Sequence, residues 1–326
     1  MTSPFAPARS FGLKLLLVGG LAFLLWIPCL MIYALVWDRS TRAEEVRREI
    51  YESAGGAQMI SGPIILVPAV VDSGVDRETG NPIRRRTHVA FTPKSLDIEG
   101  DVRTQSRRRG IFDATLFEAD FRFKGSFGPL NPINPPKGQI TYFWPDARLG
   151  VALGHGASLK GVRGEPALTL TGAAAAAAFE PGLTAQGGEP VDAGGVSVAM
   201  PIADPTQPIG FELALAMTGG GSLRFAPVGE ETTIALAGAW PHPSFQGVRL
   251  PDERTVGEAG FSASWRVPYL ARAIPRVLFA DQGLAGRFEA EAFGLDFVAS
   301  ESPYRSVNRA LKYALMFLGL VFLTFF

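Results

Sequence analysis

Residues that could carry out catalysis or hold a metal are sparse in this chain of 326 residues. Its three histidines, His88, His155 and His242, lie far apart, and its single cysteine, Cys29, is near none of them. Zinc sites need such ligands at short, recurring spacings. The chain also lacks Gly-x-Ser-x-Gly, Ser-x-x-Lys and Gly-x-x-x-x-Gly-Lys motifs. We therefore predict no catalytic residue, no metal, no cofactor, and a protein that is not an enzyme.

Two arginine triplets are the most concentrated charges. They are Arg84-Arg85-Arg86 and Arg107-Arg108-Arg109, and each precedes a predicted strand. Guanidinium groups bind phosphate through two parallel hydrogen bonds, so on an envelope-facing domain the triplets could contact lipid or lipopolysaccharide headgroups. Alternatively, they are solvated positions whose charge prevents edge-to-edge pairing of sheets.

A rigid aromatic string, Trp240-Pro241-His242-Pro243-Ser244-Phe245, is the second candidate. Its prolines restrict the backbone to extended or turning conformations, and Trp240 and Phe245 can each bury a large ring. The string is either a corner at a sheet edge or a recognition surface between strands. The candidate interaction surface therefore comprises Trp240, His242, Phe245 and the two triplets.

The elements that must position these residues are predicted to be strands. Apolar and polar residues alternate over 115–124, 211–217, 234–236 and 261–267. Strands of this pattern without intervening amphipathic helices indicate antiparallel sheets packed on one face. The predicted class is thus a membrane-anchored, mainly-β protein whose β-sandwich-like domain lies between two membrane segments.

Several local features carry more specific predictions. Pro63 and Pro68 are expected to delimit a short buried strand over 64–67. The run 219–221 of three glycines predicts a hairpin turn into Leu223 and Phe225. Between Phe288 and Phe297 the alternation slips at Gly294, which predicts a bulge. A short helix is expected over 274–278, and the alanine run 173–178 favours helix by propensity.

Both ends of the chain are apolar. Residues 15–37 carry no charge and predict a transmembrane helix, with a cleaved signal peptide as the alternative. Residues 38–56 predict a juxtamembrane helix that ends at Gly55-Gly56, and the final apolar run is shorter than a complete span. The predicted organisation is a cytoplasmic tail (1–14), the span, the stalk, a β-rich periplasmic domain (57–305) and a truncated C-terminal membrane region (306–326).

Charge and cysteine content limit the classes of partner. Residues 38–312 carry a formal charge of −2, which gives no global field that would attract nucleic acid. Orientation is not decided by the cations flanking the span, but long domains are translocated largely regardless of charge. Because Cys29 lies in the span, the domain can form no disulfide and must be stabilised by its core.

Several strings resemble the CreD family of inner-membrane proteins, which is associated with bacterial cell-envelope integrity. The matching strings occupy 61–68, 109–112, 240–245, 260–265 and 304–314, in the family's order. The resemblance implies an N-terminal anchor, a periplasmic β-rich domain and a C-terminal helical bundle. It implies no catalytic residues.

From this we predict a non-enzymatic protein of the bacterial inner membrane that contributes to envelope integrity and stress response. Its expected partners are the lipid bilayer and, through the candidate surface, envelope proteins or lipid headgroups; its oligomeric state cannot be read from the sequence. One alternative is a sensory module that binds a lipid or glycan in a pocket. Another is a transporter whose channel helices lie outside this chain.

Overall fold

The structure is a computed structural model that describes residues 11–75, 82–110, 112–132, 139–154, 156–173, 178–184, 191–297 and 303–324. Contacts divide the chain into two compact units, Met1–Arg47 with Ala299–Phe326 and, separately, Arg48–Val298. The helices are α1 (Phe11–Ser53), α2 (Leu284–Ala290) and α3 (Pro303–Thr324). The strands are β1 (Gln58–Val75), β2 (Pro82–Phe91), β3 (Ser95–Arg109), β4 (Phe112–Phe127), β5 (Gln139–Tyr142), β6 (Arg148–Leu153), β7 (Val162–Thr171), β8 (Glu180–Pro181), β9 (Gly194–Ala199), β10 (Ile209–Gly220), β11 (Ser222–Ala226), β12 (Glu231–Gly238), β13 (Pro243–Gly247), β14 (Glu253–Gly257), β15 (Gly260–Val267), β16 (Val277–Phe279) and β17 (Phe293–Phe297).

Helix α1 is a single helix of 43 residues with Pro28 inside it. A helix of this length extends about 64 Å. Among the described residues, the segment Gly19–Ser53 is the one helix long and apolar enough to cross a membrane. The predicted span and the predicted stalk are therefore one continuous helix. The membrane-anchored, mainly-β class is confirmed.

One sheet has seven strands in the order β14-β15-β12-β3-β4-β10-β7. Along β4, Phe117, Ala119, Phe121 and Phe123 are buried, whereas the residues between them are exposed. This matches the predicted alternation, because successive side chains of a strand point to opposite faces. The sheet therefore has one apolar face and one charged face.

The other sheet has ten strands, of which seven follow the order β13-β17-β11-β1-β6-β9-β8. Strands β2 and β5 also pair with β1, and β16 pairs with β2. Two pairs are parallel, β1 with β11 and β3 with β12, so neither sheet is purely antiparallel. Such pairs require long connections between their strands.

The core lies between the two sheets and is rich in phenylalanine. Phe117 stacks on Phe297 with ring centroids 4.9 Å apart, and Phe121 meets the edge of Phe225 at 5.6 Å. Each pair joins one sheet to the other, and these rings are buried to 2% exposure or less. Burying such a ring stabilises the fold by about 1.5–3 kcal/mol. The sandwich-like prediction is thus confirmed.

The predicted glycine hairpin is wrong. Strand β10 pairs with β4 and β7, whereas β11 pairs with β1 and β17 in the other sheet. The chain changes sheets at Gly221, whose φ of 81° favours glycine. A tight turn signal shows that the chain reverses, but it does not show which strand each arm will pair with.

Pro63 and Pro68 do not delimit a short strand, because β1 runs through both of them. The pairing of β1 with β6 shifts register between Ser61 and Ile64, which accommodates Pro63. Pro68 lies between the last partner in β6, opposite Leu66, and the first in β5, opposite Ala69. At that gap the missing proline N–H removes no ladder hydrogen bond.

Two further predictions are wrong near the C-terminal end of the β-domain. Phe288 lies in α2, and β17 pairs with β11 and β13 in regular register through Gly294, without a bulge. The expected helix over 274–278 instead leads into β16, which adds to β2. In the alanine run, 174–177 fall outside the described residues.

The last turn of α1 is built into the β-domain. The Tyr51 ring lies against the backbone of Gly220 and Gly221, where any side chain on Gly220 would overlap it. The amide of Gly56 donates to the Tyr51 carbonyl at 2.6 Å, and the amide of Gly220 donates to the Gly56 carbonyl at 2.9 Å. The helix thus ends in direct contact with the point where the chain changes sheets.

Side-chain hydrogen bonds reinforce this junction. The Thr218 hydroxyl donates to the Ala54 carbonyl at 3.0 Å. The buried Gln58 amide donates to the carbonyls of Gly55 and Thr218 at 2.8 Å and 3.2 Å. These bonds supply partners to the carbonyls of Ala54 and Gly55, just after the end of the helix, and of Thr218 in β10, since polar groups in a buried junction need hydrogen bonds.

Substituting Gly220→Ala should loosen the junction, because the added methyl group overlaps the Tyr51 ring. We expect a loss of about 1–3 kcal/mol in the free energy of unfolding. Faster hydrogen exchange at the Gly56 amide should accompany it. Urea unfolding in detergent and exchange mass spectrometry would measure the two effects. Gly257→Ala is the matched control, since no atom lies within 4 Å of its added carbon; equal effects of both variants would contradict the role of the contact.

Candidate functional site

The aromatic string forms an edge of the ten-stranded sheet. Trp240 is half-buried against the core, and its indole Nε1 is buried without a hydrogen-bond partner among the described residues. His242 is exposed and meets the Trp240 ring edge-on, with centroids 6.4 Å apart. Strand β13, which begins at Pro243, pairs with β17, and the described residues place no strand on its other side. A proline is tolerated at such an edge because one side of the strand needs no partner.

Phe245 connects the two sheets at this edge. Its ring lies edge-on to Trp265 at 5.9 Å and to Phe261 at 6.4 Å, both in the seven-stranded sheet. The Arg254 guanidinium lies 5.9 Å from the Phe245 centroid. These contacts favour the interpretation of the string as a structural corner. Of the three predicted surface residues in it, His242 offers the most accessible side chain.

The first arginine triplet lies within β2 rather than before a strand. Arg84 is 3.5 Å from the Asp72 carboxylate on β1, and Arg85 pairs with Asp281. Arg86 is exposed and has no ion-pair partner among the described residues. Two of these three arginines are therefore engaged by carboxylates of the domain itself. Exposed pairs of this kind contribute about 0–1 kcal/mol each.

The second triplet ends β3, at the tip of the β3–β4 hairpin. Arg108 lies 3.3 Å from Asp113, and Arg109 lies 2.7 Å from Glu49 in the last turns of α1. Arg107 is exposed, and no ion pair with it occurs in the described part of the chain. The hairpin tip and the end of α1 are thus linked by charge as well as by packing.

The two triplets lie at different places on the domain and do not form one surface. Arg109 is beside Glu49, close to the start of β1. Arg84 is opposite Asp72, fourteen residues along β1 from Gln58. At the usual rise of a strand, that separation is on the order of 45 Å. Any ligand of headgroup size would therefore contact one triplet or the other.

The outer face of the seven-stranded sheet is a feature that sequence reasoning missed. Its central strands, β3 and β4, carry long charged side chains, whereas the neighbouring strands carry alanines, namely Ala214 and Ala216 in β10 and Ala235 and Ala237 in β12. The charged side chains of β3 and β4 form a ridge, and this ridge and the alanines on both sides of it line a groove of about 890 Å³. Small side chains at the sides permit close approach of another molecule.

The charges on this outer face are largely arranged in complementary pairs. Register places Glu99 opposite Arg122. Asp101 is opposite Asp120, a like-charged pair that the Arg103 guanidinium offsets by bonding Asp120. The Glu212 carboxylate, 2.9 Å away, raises the pKa of the Lys124 amine through a hydrogen bond and through its charge. The polar residues of β4 were visible in the sequence, but their partners depend on register.

A second groove of about 520 Å³ lies between the end of α1 and the β3–β4 hairpin. Its lining includes all three arginines of the second triplet, together with Glu49, Ile50 and Leu116. We call it the junction groove. The sequence identified the triplet but could not show that the β3–β4 hairpin lies beside the end of α1, which forms the opposite wall.

Metal-binding groups are not assembled in the described residues: no group of three or more His, Cys, Asp or Glu side chains has suitable geometry. His88 is buried in β2, and His155 falls outside the described residues. The lining of the two grooves offers charged groups, hydrogen-bonding groups and small or apolar side chains.

Comparison with solved structures gives weak likeness. Three crystal structures of an M1 zinc metallopeptidase from Deinococcus radiodurans, one with a bound Tyr-Ser-Ala substrate, have TM-scores of 0.23–0.25 and 11–12% identity. They match 54% of this chain and 38–39% of theirs. A TM-score this low carries no argument about fold or function.

Sequence comparison gives a clear result. The family model described as "Inner membrane protein CreD" matches residues 10–326. The inner membrane protein CreD of Escherichia coli strain K12 is 30% identical over 318 residues, which are 96% of this chain and 67% of that protein. The match includes the apolar helix and the whole β-domain. The chain belongs to the CreD family of inner-membrane proteins.

Proposed function

We propose that this chain is a non-enzymatic protein of the inner membrane that supports cell-envelope integrity through a periplasmic β-domain. The observation that carries the proposal is the junction between α1 and the domain. Helix α1 contains the apolar segment, and its last turn contacts the β-domain. There the Tyr51 ring packs on Gly220 and Gly221, and the Thr218 hydroxyl bonds the Ala54 carbonyl. A partner bound to the domain would thus be bound by the same chain that carries the apolar helix.

One surface of the domain is suited to such a partner. The outer face of the seven-stranded sheet combines a charged ridge with alanine-lined sides. Complementary charges give specificity and fast association more than raw affinity, which suits recognition of envelope components. The proposed role extends to this chain the association of the CreD family with cell-envelope integrity.

The sensory alternative is favoured by one specific observation, the junction groove. A ligand there would contact both α1 and the β3–β4 hairpin, so its presence could be relayed along the helix. Ligands shift a conformational equilibrium only through different affinities for its two states. A sensory role therefore requires that the groove bind something.

The periplasmic location can be tested with introduced cysteines, since Cys29 is the one cysteine in the sequence. In a Cys29→Ser background, Leu270→Cys should react with a membrane-impermeant maleimide in intact cells with a permeabilised outer membrane, because Leu270 is 93% exposed. Ser3→Cys, in the predicted cytoplasmic tail, should react with the reagent only after the cells have been lysed. Reversed labelling would place the domain in the cytosol and overturn the proposal.

The envelope role can be tested by complementation of a strain from which the gene has been deleted. The native gene should restore growth in detergent and exclusion of a large apolar dye. Gly220→Ala should insert into the membrane at normal abundance but restore these properties poorly, because the junction is loosened. Gly257→Ala should behave like the native protein. Intact barrier function in the deletion strain under envelope stress would overturn the proposed role.

Trp240→Ala separates the two interpretations of the aromatic string. As a half-buried ring packed on the core, Trp240 should cost about 2–3 kcal/mol of unfolding free energy on removal. His242→Ala, at an exposed position, should change it by less than about 0.5 kcal/mol. Urea unfolding measures both. A Trp240→Ala protein of native stability that fails to complement would instead identify the string as a recognition surface.

A further inference from the structure

The junction groove combines a wall of helix with a wall of arginines. On one side lie Glu49, Ile50 and Ser53 of α1, and on the other lie Arg107 and Arg109 of the hairpin. Its volume of about 520 Å³ falls in the range of sites for small molecules. The groove is formed entirely within the unit Arg48–Val298.

The charges of the groove leave a cationic end at the hairpin tip. Arg109 is partly neutralised by Glu49 at 2.7 Å, and Arg108 by Asp113 at 3.3 Å. Gln105 donates at 2.8 Å to the carboxylate of Glu118, which also lines the groove. Arg107 lines the groove, and the described residues supply it with no carboxylate.

Arg107 and Arg109 are two residues apart on one strand, so their side chains leave the same face. Their Cα atoms are about 6.6 Å apart at the usual strand rise. Two guanidiniums at this spacing can share one tetrahedral anion with three or more oxygens. A carboxylate has two oxygens, which a single guanidinium already satisfies.

Part of the lining next to these arginines is apolar. Leu116 lies on β4 directly opposite Gln105, Ile50 is 9% exposed, and Phe117 is fully buried beneath them. This arrangement suits a ligand with an anionic group at one end and an uncharged body beside it.

We propose that the junction groove binds a phosphate ester, with the phosphate held by Arg107 and Arg109 and the ester group against Ile50 and Leu116. The phosphate can come from a soluble metabolite or from the headgroup of a lipid. Because the ligand would touch both α1 and the hairpin, binding should also stabilise the junction. The site goes beyond the envelope role and does not depend on it.

Arg163 provides an internal comparison, because it lines the other end of the same groove. Arg163 is on β7 and lies opposite Ala216 of β10, whereas Arg107 is on β3 and lies opposite Ala114 of β4. The register therefore separates the two arginines by six residues along the strands and three strands across, on the order of 20 Å. One phosphate cannot contact both.

The proposal can be tested by titration calorimetry on the full chain in dodecyl maltoside. The probes are glycerol 3-phosphate, its carboxylate counterpart glycerate, and dioctanoylphosphatidic acid, a lipid whose phosphate is also a monoester with three terminal oxygens. We expect saturable binding of the phosphate probes and much weaker binding of glycerate. Equal affinities for the two phosphate probes would identify a soluble ester as the ligand, and tighter binding of the lipid would identify a headgroup; either result supports the site.

Matched variants locate the binding. Arg107→Gln should weaken binding about tenfold, since it removes a charge-assisted hydrogen-bond donor. Its unfolding temperature should not change, because Arg107 is exposed. Arg107→Lys should recover part of the loss by restoring the charge. Arg163→Gln, in the same groove, and Arg86→Gln, in the other triplet, should bind within about threefold of the native protein.

Three outcomes would overturn the proposal. They are no saturable binding of either phosphate probe, binding of glycerate as tight as that of glycerol 3-phosphate, and equal losses in Arg107→Gln and Arg86→Gln. The last would show that the response reflects overall charge and not a site.

Discussion

The close contact of Tyr51 with the backbone of Gly220 and Gly221 is the constraint on which the rest of the structure depends. It fixes the end of α1 against the point where the chain leaves one sheet for the other. A side chain at Gly220 would separate them. Because both β10 and β11 continue from this point, the orientation of the helix end and the packing of the two sheets are set together.

The two sheets have different tasks. Phenylalanines from both fill the space between them, and this core must stabilise a domain that has no cysteine. The outward face of the seven-stranded sheet carries charges whose partners lie across the strands, as with Glu99 and Arg122. Such pairs stabilise the fold little, so this face is free to be used for recognition.

Much of the fold could be predicted, because period-two alternation reports directly which face of a strand is buried. Residues 115–124 are the best case. Pairing partners could not be predicted: the glycine run 219–221 indicates a reversal, but whether it joins two strands of one sheet depends on distant residues. Of the candidate site, the arginine triplets were visible as charge, whereas their carboxylates, Asp72 and Glu49, come from other elements. The grooves depend on the register of the strands and on the packing of the β3–β4 hairpin beside α1, and neither can be recognised from a short stretch of sequence.

The parallel pairing of β1 with β11 has a consequence for how the chain folds. Gln58 lies opposite Leu223, about 165 residues later. At ordinary rates of synthesis, β1 exists for on the order of 10–30 s before β11 has been made. Non-local pairings of this kind also fold slowly once complete. The edge of β1 at residues 58–61 therefore waits for β11 throughout this time, whereas the valine- and isoleucine-rich remainder of β1 can pair early with β2, the next strand in the chain.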